Sequence, residues 1–283
     1  MIRHSFCHIK GISLKTEYAL WEAGFLGWED VDKERPGWLS PARYASLRQG
    51  VVQSRQRLDA GDARYFQDLL PGREHWRLFG AFRNSTAFFD IETTGLQPGR
   101  DNITTIAMYD GKCIKTFVNG ENLDCFCQEM DRYNQIVTYN GKCFDVPFVR
   151  RELNARIDHA HLDLRYLLNR LGYKGGLKGC EKTLGVKRKG VEDVDGYMAV
   201  LLWREYNKGN DKALETLLAY NIADAVNLEI LSVKAYNMYL KDTPFSRTLR
   251  LEPPGIPEVR YRPDSATIRK LQSSLAACYE GPF

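Results

Sequence analysis

The chain has no apolar run approaching the roughly 20 residues that a membrane-spanning helix needs. Its polar N-terminus lacks the apolar centre of a secretory leader. These two absences predict a chain kept in the cytoplasm, with no membrane partner. Charge of one sign is also scarce: the net charge is +4, too mild to point to a polyanion by itself. Zinc lacks its ligands, because Cys7, Cys113, Cys125, Cys127, Cys143, Cys180 and Cys278 are odd in number and scattered. Cys125 and Cys127 form a C-x-C, but no second pair or histidine cluster completes a site. The expectation is reduced thiols, mostly buried as small apolar side chains in a reducing cytoplasm. With 43% hydrophobic and 27% charged residues over 283 positions, the chain can bury one large core or two.

One stretch stands out, Ala87-Phe-Phe-Asp-Ile-Glu-Thr-Thr-Gly-Leu96. Ala87, Phe89 and Ile91 alternate with Phe88, Asp90 and Glu92, the period of two of a strand. Asp90 and Glu92 therefore share a face. In a strand covered on both sides these carboxylates repel each other and call for cations; on an edge strand they simply face water. Thr93, Thr94 and Gly95 end the strand with turn chemistry.

In chain order, residues 1–80 read as a small helical region of their own, residues 81–240 as an α/β domain, and residues 241–283 as a C-terminal extension. Lys10-Gly-Ile-Ser13 before a helix starting near Lys15, with a second turn at Gly24, resembles a helix-hairpin-helix element. Such an element reads phosphate through its backbone N–H groups; Ser13 replaces its usual second glycine, and a packing module anchored by Trp21 and Trp28 is the other reading. Residues 33–80 should add two or three short helices. Strands follow over Asn102–Tyr109 and Cys113–Val118, joined at Asp110-Gly111, a hairpin signal. Leu123–Tyr133 is expected to be a helix, Gln135–Tyr139 a strand and Ala160–Leu164 a fifth strand bearing Asp163. Asp145 falls where a helix begins, with Pro147 tolerated in its first turn, and taken alone it is an N-cap. Residues 172–190 set Gly172, Gly175, Gly176, Gly179, Gly185 and Gly190 among Lys174, Lys178, Lys182, Lys187, Arg188 and Lys189. Six positive charges against Glu181 alone, on a flexible backbone, suit a phosphodiester chain, with Lys178 and Lys182 as candidate contacts. A long helix is expected over Asp211–Tyr239, with Tyr220 and Asp224 on one face. Pro253–Pro257 reads as an extended linker, and Asp264–Cys278 as a terminal helix.

The order D-I-E-T-T-G-L, N-G-K-C-F-D-V-P-F and Y-N-I-A-D resembles the DEDD (DnaQ-like) 3′–5′ exonucleases of the RNase H-like superfamily. Tyrosine four positions before the last aspartate is similar to the DEDDy subtype. With His161-Leu-Asp-Leu and Gly175-Gly-Leu-Lys, the layout over about residues 86–240 is most similar to the YprB-type branch. The resemblance implies a mixed five-stranded sheet flanked by helices. It implies Asp90, Glu92, Asp145 and Asp224 as metal ligands and Tyr220 as the residue that orients the attacking water. Thr94, Leu96, Asn140 and Phe144 match positions that face the substrate; Asp163 matches an acidic position with no assigned role.

The chemistery of phosphodiester hydrolysis suits these residue types. Two Mg²⁺ or Mn²⁺ ions about 3.5–4 Å apart activate water and stabilise the leaving oxygen. Such hard cations favour carboxylate oxygens over cysteine or histidine. The expected partner is the 3′ end of DNA or RNA. A catalytically silent nucleic-acid-binding or scaffold module on the same fold is the alternative; loss of a ligand would mark it, and none of the four is missing.

Overall fold

The computed structural model of the chain describes residues 1–188 and 190–279. Lys189 of the cationic segment and residues 280–283 of the extension lie outside the described residues, and Cys278 lies outside the described side chains.

The N-terminal region is built on a buried ion pair. Helix α1 (Leu14–Glu22) starts at Ser13, whose Oγ accepts the Thr16 N–H at 3.2 Å. Gly11 and Gly24 take positive φ (85° and 82°) at the two turns. Only the second helix of a helix-hairpin-helix element is present, because residues before Gly11 form no more than a 3-10 turn at Ile2–His4. Their backbone is committed elsewhere: Glu17 Oε2 accepts Phe6 N–H at 2.5 Å and Cys7 N–H at 2.9 Å. Its Oε1 accepts Arg77 Nη1 at 2.7 Å, and the two side chains are 0% and 1% exposed. Trp21 and Trp28 donate to His4 O and Ser5 O. Helices α2 (Pro41–Asp59), α3 (Ala63–Leu69) and α4 (Arg77–Phe82) complete the region, α2 being longer than the short helices expected. From α4, Phe79 meets Phe88 edge-on at 6.1 Å, so this core continues into the sheet.

Strands β1 (Thr86–Thr93), β2 (Ile103–Tyr109) and β3 (Ile114–Val118) form an antiparallel run. Helix α5 (Cys125–Met130), strand β4 (Gln135–Thr138), helix α6 (Asp145–Glu152) and strand β5 (Ala160–Asp163) follow. Among the described residues the sheet has five strands, ordered β3-β2-β1-β4-β5, with β4 parallel to both β1 and β5. The alternation of β1 is realised in its packing. Ala87, Phe89 and Ile91 join Phe126, Phe148 and Val149 of α5 and α6. Phe88 points to the other face, with Asp90 and Glu92 beside it in period.

Later helices follow, α7 (Leu164–Arg170), α8 (Gly176–Leu184), α9 (Gly196–Tyr206), α10 (Asp211–Tyr239) and α11 (Ser265–Tyr279), and of these α10 and α9 lie against that other face. The Gly/Lys-rich segment is thus not an open flexible loop. Gly175 and Gly176 (φ 96° and 74°) start α8 and Gly185 (φ 67°) ends it, so these glycines punctuate a helix instead of loosening a chain. Ile268 and Leu271 of α11 pack with Val191, Val194 and Met198. Of the described cysteines, Cys7 and Cys180 are buried, whereas Cys113, Cys125 and Cys143 are exposed at turns and a helix start, contrary to the expectation of mostly buried thiols. No helix among the described residues is long and apolar enough to cross a membrane.

Candidate active site

Three elements converge where β1 outruns its parallel neighbour. The β1–β4 pairing stops at Phe88 opposite Val137, leaving Asp90, Ile91 and Glu92 beyond it. Helix α10 crosses this end, and its Asn221 fixes the crossing. Asn221 Nδ2 donates to Asp90 O at 3.1 Å and Asp90 Oδ2 at 2.8 Å, while its Oδ1 accepts Thr105 Oγ1 at 3.0 Å. One turn further along α10, Asp224 joins Asp90 and Glu92. Carboxylate oxygens of the three all lie within 4.8 Å of one another.

Asp145 stands at the edge of this group. It occupies the first turn of α6, and its Oδ1 accepts the Ile91 N–H at 3.3 Å. The turn before it is rigid: Asn140 has φ 66°, and Gly141 N–H donates to Thr138 Oγ1 at 3.1 Å, leaving no room for a Cβ. Asp163, unassigned from sequence, holds this turn. Its carboxylate accepts Asn140 N–H at 2.8 Å and Lys142 N–H at 3.1 Å while capping α7 through Arg165 N–H.

The electrostatics follow from burial and like charge. Burial, then the charges of Asp224, Asp145 and Glu92, push the Asp90 carboxyl well above the carboxylate range, with Asn221 opposing. Burial and then Asp224 and Asp145 do the same to Glu92, against Lys178 and Arg188. Burial raises Asp145 to about 7, although its own N–H and that of Ile91 oppose the shift. Asp224 is raised by burial and held back by the charges of Arg188 and Lys178. An oxygen-only, mutually repelling set of this kind, with Asp90 part-exposed and Glu92, Asp145 and Asp224 buried, fits a hard divalent cation.

The remaining candidates divide. Tyr220 is buried, with Lys178 Nζ 5.1 Å and Arg188 Cζ 5.6 Å from its ring centroid. Lys178 Nζ donates to Val194 O, and its charge acts through space on Glu92 and Asp224. Lys182 lies exposed on α8, away from them. Thr94 is half-buried, its Oγ1 accepting Asn102 N–H at 3.0 Å, and Leu96 is 80% exposed beyond the strand. Asn140 Oδ1 accepts Arg165 Nη1 at 2.5 Å, and Phe144 packs on Phe148 at 4.9 Å.

Sequence reasoning did not single out Arg188, Glu181 or Asn221. Arg188 Nη2 contacts Asp224 Oδ1, and its Nε donates to Glu181 Oε2. Arginine in a cationic run carries no sign that it is buried. Asn221 had one signal, its place beside Tyr220 on the face turned to the sheet.

The sequence pattern of the RNase_H superfamily matches residues 87–236, which hold all of these carboxylates. The chain is 29% identical over 188 residues to the uncharacterized protein YprB of Bacillus subtilis (strain 168), covering 58% of this chain and 45% of that one. It thus spans less than half the length of that relative. A family B DNA polymerase from the hyperthermophilic archaeon Pyrobaculum calidifontis aligns with a TM-score of 0.40 at 16% identity, over 59% of this chain and 27% of the polymerase. With its mixed five-stranded sheet flanked by helices and a match over more than half of its length, the chain belongs to the RNase H superfamily.

Proposed function

We propose that the chain is a metal-dependent 3′–5′ exonuclease of the DEDDy kind, acting on DNA or RNA. One observation carries the reading: carboxylate oxygens of Asp90, Glu92 and Asp224 lie within 4.8 Å of one another at the end of a covered strand. Crowding three such groups together, two of them buried, is costly unless cations neutralise them. Residues 81–240 would form the catalytic domain, flanked by residues 1–80 and 241–283.

Asp90, Glu92 and Asp224, with Asp145 alongside, would hold Mg²⁺ or Mn²⁺. When bound, such ions activate water and stabilise the leaving oxygen of a phosphodiester. The Tyr220 hydroxyl, one turn before Asp224 on α10, would orient the attacking water. Lys178 adds a positive charge beside Tyr220, where a phosphate would approach. Asn221 and Asp163 keep β1 and the start of α6 in register with α10.

A panel of end-labelled DNA and RNA oligonucleotides with Mn²⁺ or Mg²⁺, free or blocked at the 3′ end, tests the reading. Mononucleotides should leave unblocked 3′ ends only, and Asp90→Ala should abolish the release. Tyr220→Phe keeps the packing and should lower kcat at least tenfold without weakening oligonucleotide binding. Cleavage of blocked substrates would make the activity endonucleolytic. Binding of every oligonucleotide with cleavage of none would leave a silent nucleic-acid-binding module.

A further inference from the structure

We propose that Arg188 is an internal counter-ion of the acidic site, holding Asp224 in direct competition with a divalent cation. The inference rests on the metal-site reading above and adds a residue that works against metal binding. Arg188 reaches the site from the loop between α8 and α9, yet its side chain is only 7% exposed. Its neighbours fix that loop on both sides. Val186 N–H donates to Glu181 O at 2.8 Å, and Val191 is buried against the α9–α11 core.

The guanidinium is divided between two carboxylates. Nε donates to Glu181 Oε2, while Nη2 lies against Asp224 Oδ1. Glu181 is 2% exposed and is itself held by Asn227 Nδ2, which donates to Oε1 at 2.8 Å. Asn227 lies on α10 one turn from Asp224, so the helix that carries the ligand also carries the anchor of its competitor. The contact with Asp224 is close but misaligned: Nη1, Nη2 and Asp224 Oδ1 all lack a well-directed hydrogen-bond partner. Glu181 therefore fixes where Arg188 sits, and Arg188 gives Asp224 charge without a bidentate fork. A cation taking Asp224 must detach that contact and then stand beside a positive guanidinium.

This arrangement predicts opposite signs for two variants. Removing the competitor in Arg188→Met should tighten Mn²⁺ binding at least tenfold. Removing the anchor charge in Glu181→Gln leaves Asp224 as the only carboxylate paired with Arg188, and should weaken Mn²⁺ binding at least threefold. A merely structural role for the pair would weaken binding in both.

Calorimetric titration of the full chain with Mn²⁺ alone, folding being checked by circular dichroism, decides the matter without any substrate. Binding that is unchanged or weaker in Arg188→Met overturns the proposal. Should that variant not fold, the double variant Arg188→Met with Glu181→Gln removes both charges together; it should bind Mn²⁺ more tightly than wild type, and equal or weaker binding overturns the proposal. Mn²⁺ binding lost in Asp90→Asn but unaltered in Arg188→Met sinks the role of Arg188 alone. Binding that survives Asp90→Asn unaltered sinks the metal-site reading, and no binding in either wild type or Arg188→Met sinks both.

Discussion

Replacing Asp145 by Asn should stabilise the metal-free protein at neutral pH and change little near pH 4. Burial raises this carboxyl from 3.8 to about 7 in the folded chain. Between those values the folded state keeps a proton that the unfolded state has lost. Stability therefore falls as pH rises through about 4 to 7 and levels off above. At 1.36 kcal/mol per pH unit, a shift of about three units sets a ceiling of about 4 kcal/mol. Asn keeps an oxygen to accept the Ile91 N–H, but it cannot ionise. Because Asp163 and Asp224 share the repulsion with Asp145, about half of that ceiling is expected, ~2 kcal/mol, or about 4–6 °C in Tm for a chain of this size. The assay is thermal melting of both proteins in EDTA from pH 3.5 to 8. Their difference should be near zero at the acid end and reach its full value near pH 7. A difference that does not vary with pH, or a less stable variant at pH 8, would refute the reasoning. With Mn²⁺ at about 100 times its dissociation constant the wild type should gain ~2.7 kcal/mol and the variant less.

Two further outcomes follow from the placement of charge. Lys182→Glu, on the exposed face of α8, should weaken oligonucleotide binding and reduce its salt slope by about one. Lys178→Glu, beside Tyr220, should in addition remove cleavage; filter binding across NaCl concentrations with parallel activity assays separates the two lysines, and identical behaviour would contradict the geometry. Glu17→Gln strips one partner from a fully buried pair and should cost about 3–5 kcal/mol in urea unfolding. A loss under 1 kcal/mol would mean that Arg77 finds another partner.

The parts legible in the sequence were those set by local periodicity. Alternation gave β1 both faces correctly, Asp110-Gly111 gave the hairpin, and the long helix lies over Asp211–Tyr239 as expected. Its tyrosine and aspartate come to the sheet because 3.6 residues per turn put them on one stripe. What composition hid was tertiary. Glycines at 175, 176 and 185 look like flexibility until the stripe of Leu177, Cys180, Glu181 and Leu184 is read as a helix face. Nothing along the chain distinguishes Arg188, buried between two carboxylates, from Lys187 beside it in solvent. Likewise, the family resemblance implied four acidic residues at one site. Only the end of β4 explains why Asp145 bonds the strand while the other three face one another.

That end of β4 has a consequence for measurement. Past Phe88 the parallel side of β1 has no strand to pair with, and the amide of Ile91 depends on the Asp145 carboxylate for its acceptor. Any event that draws the carboxylate away leaves that single amide open to solvent. Deuterium uptake at Ile91 in the native protein is therefore a backbone reporter on a side chain. It would register how Asp145 is engaged before any substrate is added, and it would do so in a variant that cleaves nothing.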